Sequence, residues 1–198
     1  TEGKKWPQAQ ETVVMNAQDK EIVEKMVEVA KNIGMKQNNG AAANSQQQNS
    51  AVVSMMNSTP GRVNFSMNQD WHGEVMTGEY PSVIDVSKGD SFTHSATDND
   101  GSKGAVVYLG NNSTAKSCAW LLAWSAPKFP TTNNPNKVYV KCGDATDFQN
   151  INWNQIEASL DVSSTFSSFM EPITKTTCSA NILPGKNFAS VGANFGTM

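Results

Sequence analysis

"CAWLLAW", residues 118–124, sets Trp120, Leu122 and Trp124 in alternation with Ala119, Leu121 and Ala123. Successive side chains of a strand point to opposite faces. A strand here is apolar on both faces, so one must line the interior of a two-sheet sandwich and the other needs a lid. Further short apolar runs lie on either side, separated by Gly, Asn, Pro and Ser: "AVVSMM" (51–56), "RVNFSM" (62–67), "SVIDV" (82–86), "DSFTHSA" (90–96), "GAVVYLG" (104–110) and "KVYVKC" (137–142). Their length, spacing and content of Val and aromatics predict strands of a β-sandwich. Val106, Tyr108, Trp120, Leu122, Trp124, Val138 and Val140 are expected on adjacent strands of its core, and "NFASVGANF" (187–195) reads as a last strand.

Two helices are available as lids. In "DKEIVEKMVEVAKNI" (19–33), Ile22, Val23, Met26, Val27, Ala30 and Ile33 recur at helical spacing, with Asn16 as N-cap and Gly34 as C-terminal stop. Its polar face mixes Lys20, Lys25 and Lys31 with Glu21, Glu24 and Glu28. It therefore lacks the basic excess that draws a helix to anionic lipid, and packing on the protein's own core is expected. "INWNQIEASL" (151–160) is the second helix. Between the first helix and the strands, "KQNNGAAANSQQQNS" (36–50) is neutral, polar and of low complexity, and reads as a linker. The expected organisation is a mainly β fold with flanking helices: residues 1–50 form an amphipathic helix and linker, and 51–198 the sandwich domain.

The 198 residues suit one domain. Charged residues are 17% of the chain, the net charge is -3 and Arg62 is the sole arginine, so a phosphate-tracking, nucleic-acid-binding surface is not expected. No apolar run approaches the roughly 18 residues that a membrane-spanning helix needs, and no basic-then-apolar leader opens the chain. Cys118, Cys142 and Cys178 are odd in number and widely spaced, which predicts free thiols rather than a disulfide framework or zinc site. These features point to the cytoplasm. Sequons at Asn57, Asn64, Asn111 and Asn112 would matter only if a presequence had been removed and the chain secreted.

Residues 68–142 carry "NQDWHG", "YPSVI", "GSKGAVVYLG", "CAWLLAWSAP" and "NKVYV" in succession. In these motifs and their order the chain resembles the plant jasmonate-induced proteins, which implies a stress- or wound-induced plant protein. It also resembles, more distantly, the actinoporins and related fungal fruit-body lectins: "AVVSMMNS", then "GAVVYLG", "WLLAWSAP" and "NKVYV" follow their strand order behind an N-terminal amphipathic helix. That likeness implies an actinoporin-like β-sandwich. It also implies a headgroup site to which Ser125 and Pro127 of "SAP" contribute. In actinoporins the next loop is dense with Tyr and Trp, which stack on a cationic headgroup. Here "KFPTTNNPNK" offers only Phe129, which argues against pore formation through this site.

Chemistry is sparsely marked. His72 and His94 are the only histidines. Asp70 and His72 alternate in an extended segment and are expected to share one side, where a third group could complete a hydrolase site, although no nucleophile elbow accompanies them. Trp71, Tyr80 and Trp153 lie outside the most apolar runs and are candidates for partial exposure. An aromatic ring beside Asp, Asn or His is how many binding sites hold a sugar. "TDNDGSKG" (97–104) and "GNNSTAKS" (110–117) read as turns, since the spacing and closing Glu of a calcium loop are absent. No metal or cofactor is expected. The sequence favours a non-enzymatic module for a glycan or lipid headgroup, with Asp70, Trp71, His72, Tyr80, Ser125, Pro127 and Trp153 as ligand-binding candidates. A membrane-perturbing defence protein and a hydrolase using Asp70 and His72 are the alternatives.

Overall fold

A computed structural model describes residues 15–38, 47–76 and 79–198. Its elements run α1 (Ala17–Gln37), β1 (Gln48–Ser58), β2 (Val63–His72), β3 (Glu74–Val75), β4 (Val83–Ile84), β5 (Gly89–Ser95), β6 (Ser102–Asn111), β7 (Ser117–Ala126) and β8 (Lys137–Asp144). A short 3-10 turn (Ala145–Phe148), α2 (Trp153–Asp161), β9 (Phe166–Glu171), β10 (Thr176–Leu183) and β11 (Asn187–Thr197) follow.

The strands form two sheets, β3-β5-β1-β11-β10-β9 and β4-β2-β6-β7-β8. Nearly all pairs are antiparallel. The exception is β1 with β11, which run parallel from Gln48 opposite Asn187 to Ser58 opposite Gly196, joining the two ends of the sandwich sequence at the centre of one sheet. The seven expected core residues all lie in the cluster between the sheets, together with Val53, Met55 and Phe195. Trp120 satisfies its indole N–H there by donating to the carbonyls of Thr177 and Gly196. Cys142 and Cys178 act as small apolar groups of the same cluster, and burial pushes the Cys142 thiol up to about 12.

The second face of "CAWLLAW" is covered by α2 and the 3-10 turn, since Ala119, Leu121 and Ala123 pack with Phe148, Ile156 and Leu160. The first helix covers the other sheet instead, burying Val23, Met26, Val27 and Ala30. The order is therefore helix, sheet, sheet, helix. Asn16 caps α1 as expected, its side chain accepting from the Asp19 N–H. Gly34 does not stop the helix, which continues to Gln37 with Asn38 as cap. Its small size serves packing, because a Cβ there would lie 2.2 Å from the Phe188 ring. Gly192 of β11 has the same use, since a Cβ would meet the Val23 carbonyl and Val27 nitrogen of α1 at 2.5 Å.

The polar stretch at 36–50 divides three ways. Lys36 and Gln37 belong to α1 and Gln48–Ser50 to β1, while the linker expected at 39–46 lies outside the described residues. Gln48 enters the sheet despite its polarity because its buried amide is satisfied. It donates to the Pro127 carbonyl and pairs with Asn136, and its N–H bonds the Lys128 carbonyl.

Candidate functional site

The end of β2 decides which candidates can meet. Asp70 pairs with Gly104 and His72 with Lys103, two consecutive residues of β6, and a bulge at Trp71 takes up the extra residue. Consecutive residues face opposite ways, so Asp70 and His72 are not on one side and the expected pair does not form. Asp70 lies on the side of β2 that faces the other sheet but stays exposed at the rim, where its carboxylate accepts from the Tyr80 hydroxyl at 2.6 Å and from the Asn68 amide at 3.0 Å. Tyr80 stacks on Phe65 with ring centres 5.5 Å apart and meets Phe92 edge-on. Burial, then the bond to Asp70, raises its phenol above the ordinary range.

Asp70 has a different histidine for a neighbour. The fully buried His94 places Nε2 3.4 Å from the Asp70 carboxylate, with no hydrogen bond to that nitrogen, and Nδ1 2.8 Å from the Ser102 Oγ. Desolvation lowers the His94 pKa, and Asp70 only partly opposes it. An Asp–His–Ser succession is the order of a nucleophilic relay. Here, however, Ser102 is 1% exposed, and its Oγ already accepts from the Trp124 indole N–H at 3.0 Å. An acyl carbon has no path to that oxygen, so the three groups hold the sandwich end together.

Trp71 and His72 face outward. Trp71 and Trp153, half-buried, meet edge to face with ring centres 6.3 Å apart, packed on the cluster beneath α2. Lys103 stands 5.8 Å over the Trp71 ring and bridges Glu157 at 2.7 Å and Asp161 at 2.9 Å. Desolvation alone would lower the Lys103 pKa, but these two carboxylates raise it. Ser125 lies on the same face, paired with Lys103 on one side and Lys137 on the other. Pro127 is buried and engages Gln48 through its carbonyl. His72 Nδ1 and one carboxylate oxygen each from Asp98 and Asp100 lie within 4.8 Å of one another, a donor set that a divalent cation could bridge. Asp98 also accepts the Asp100 N–H, which orders the turn by protein contacts alone. Of the seven candidates, four share the outer face (Trp71, His72, Ser125, Trp153), while Tyr80 and Pro127 pack inward and Asp70, on the inner face, stays exposed at the rim.

The same end of the sandwich carries a feature that the sequence did not signal. β1 and β11 begin here and β10 and β7 end here, as the bond from Gln48 to Lys128 and the pairing of Gln48 with Asn187 require. Met35, Phe129 and Leu183 are 49%, 55% and 45% exposed. A cavity of about 300 Å³ opens between the last turns of α1 and the β10–β11 turn, lined by Val27, Lys31, Met35, Leu183, Lys186 and Phe188 among others. A second, of about 360 Å³, shares Pro184, Gly185 and Lys186 with it and adds Phe129 and Pro130. Among the described residues, no acidic one lines either cavity. Among the described residues, no helix is long and apolar enough to cross a membrane.

These features define a helix-clad β-sandwich with an apolar, open loop end. More particularly, the chain belongs to the Nakanori-like protein family, whose model matches residues 8–182. It is 43% identical over 182 residues to a jasmonate-induced protein homolog of Atriplex canescens, covering 92% of this chain and 94% of that one. To the 23 kDa jasmonate-induced protein of Hordeum vulgare it is 37% identical over 76 residues, covering 37% of this chain and 36% of that one. Its fold is similar to the crystal structure of the lipid binding protein Nakanori, with a TM-score of 0.67 at 16% identity, covering 90% of this chain and 83% of that one.

Proposed function

We propose that the protein is a non-catalytic lipid-binding protein of the plant stress response, acting from the cytoplasm and docking onto membrane surfaces with its open loop end. One observation carries this reading: Met35, Phe129 and Leu183 stand exposed at one end and line adjoining cavities rather than being scattered singly. Contiguous exposed apolar surface marks an interaction site, whereas isolated exposed apolar residues are ordinary. The description of a structural neighbour as lipid binding points the same way. Side chains entering the headgroup boundary from a rigid scaffold give reversible peripheral binding without any spanning segment. Flotation with liposomes tests it. The protein should rise with the vesicles, and Phe129→Ala combined with Leu183→Ser should leave it at the bottom of the gradient with its fold intact by circular dichroism. Vesicle binding unchanged by the double substitution would remove this end from the contact.

Glycan binding is the second reading, favoured by the half-exposed Trp71 and Trp153 beside Lys103. A glycan array probed with the wild-type protein and with Trp71→Ala tests it, since a sugar stacked on that ring is lost with it. Pore formation is not favoured. The apolar face of α1 is engaged with β11 through the close approaches at Gly34 and Gly192.

A further inference from the structure

We infer that the lipid recognised at the open end is anionic, with one acyl chain entering the cavity between α1 and the β10–β11 turn while Lys31 and Lys186 neutralise its headgroup. This rests on the lipid-binding reading above and names the lipid class. The first argument is charge complementarity. Among the described residues, Lys31 and Lys186 are the charged ones lining the two cavities, on a chain whose net charge is -3, so the basic character is local to this lining. The partner of Lys31, Glu28, stands 3.6 Å away as an exposed pair one helical turn back, and such a pair is too weak to withhold the ammonium from a phosphate.

The second argument is shape. Val27, Met35, Leu183 and Phe188 give the first cavity an apolar interior, and the lysine stems can lie along it with their charges at the rim, the layout suited to a chain with a negative head. Its volume of about 300 Å³ is at the small end of ligand sites, which fits part of one chain rather than a whole lipid.

The third argument concerns the headgroup and favours an anion over choline. A quaternary ammonium is held by several converging aromatic faces, best Trp or Tyr, and the described lining of the two cavities has one phenylalanine each, Phe188 and Phe129. A phosphate or carboxylate needs cations, and these are what the cavities offer. Asp98 and Asp100, exposed at this end, sit by His72 at the end of β2 and outside the described lining of both cavities. An anionic surface repels them and tilts the molecule so that the α1 and β10–β11 side leads.

The test is flotation with vesicles of phosphatidylcholine alone and of phosphatidylcholine mixed with phosphatidylserine, together with titration of soluble dioctanoyl phosphatidylserine followed by the Met35 methyl resonance. The expected results are strong binding to the mixed vesicles only, binding that weakens as salt rises, and a Met35 shift that saturates with the short-chain lipid. Lys31→Gln with Lys186→Gln should lower the partition coefficient roughly fivefold per lysine, on the order of 25-fold together. Both are surface substitutions that leave the fold in place, and Lys20→Gln with Lys25→Gln on the exposed start of α1 serves as the charge-matched control. Equal binding to both vesicle types, or no effect of the lysine pair, overturns the inference while leaving membrane binding standing. Failure to bind either vesicle overturns both. Self-association in sedimentation that the lysine pair abolishes, with no lipid response, assigns the face to a second copy and overturns the inference.

Discussion

The two ends of the sandwich differ in the sector where the β10–β11 turn meets α1. At the end remote from the cavities, loops are tied by buried polar side chains. The Asn112 carbonyl oxygen accepts from the N–H groups of Thr114 and Lys116 and from the Thr114 hydroxyl, while its amide donates to the Thr174 carbonyl. Asn57 does the same between Thr59, Gly61 and Ile84. These are two of the four sequon positions, and their buried amides leave only Asn64 and Asn111 exposed. The cavity found here is smaller, about 170 Å³, and includes Asp19 and several hydroxyl and amide residues. Ile173 and Met198 are exposed there, but neither joins an apolar cavity of the open end. At the open end buried polar side chains also tie strands, Gln48 with Asn136 and His94 with Ser102, but the described lining of the cavity between α1 and the β10–β11 turn presents mainly apolar side chains and lysines. Satisfied polar networks rigidify, while unpartnered apolar surface marks contact with something else.

A lesion in the shared interior should break both ends together. Leu122→Ala, in the wholly buried core, is expected to cost about 2 to 5 kcal/mol and to abolish membrane binding only in step with unfolding. Parallel chemical denaturation and flotation check this. Asn112→Ala should separate the ends: leaving the Thr174 carbonyl and two loop N–H groups without partners costs about 1 to 3 kcal/mol, seen as a lower denaturation midpoint, with vesicle binding of the folded protein unchanged.

A smaller effect is expected from pH. The folded His94 pKa lies below its ordinary value, so at acid pH the unfolded chain binds a proton that the folded one resists. The stability held above the unfolded value of about 6.5 should therefore fall as pH drops below it, toward the lowered folded value. In His94→Gln this part of the stability profile should flatten, as read by thermal denaturation across the range. The smallest effect on stability belongs to the open end. Leu183→Ser should stay within about 0.5 kcal/mol of wild type while weakening flotation, and a larger loss of stability would make Leu183 a structural residue.

The sequence was most informative where local pattern suffices. Alternation in "CAWLLAW" required cover on both faces, and α2 and the opposite sheet supply it. Helical spacing placed α1 and α2 to within a turn at their ends. The strands β9 and β10 went unseen because "FSSFME" and "TTCSANIL" mix Ser, Thr and Asn into positions the sheet buries, and their hydroxyls find partners only across strands, as Ser167 does with the Val140 N–H. Gly34 and Gln48 misled for one reason: a glycine reads as a stop and a glutamine as linker unless the residue packed against them is known.

In the candidate site, Trp71 and Trp153 were legible singly as aromatics outside the apolar runs, but their meeting was not. The separation of Asp70 from His72 depends on one bulge, which exists only in the register of β2 against β6. The pairing of Asp70 with His94 and Ser102 joins three strands. The cavities join α1 to the β10–β11 turn, residues about 150 positions apart in the chain.

What the sequence determined by itself was the period of burial along each segment, hence strands and helices, two apolar faces on β7 and a mixed-charge helix that packs rather than inserts. These follow from the geometry of a single element, in which neighbours in sequence fix which side chains share a face. What only the tertiary structure decided was the parallel union of β1 with β11, the burial of His94 and Ser102 behind Asp70, and the gathering of Met35, Leu183, Phe129, Lys31 and Lys186 at one end. The physical reason is that register, bulges and helix docking are set by contacts between residues remote in sequence, and no local pattern encodes which remote partner a lone apolar or basic side chain will stand beside.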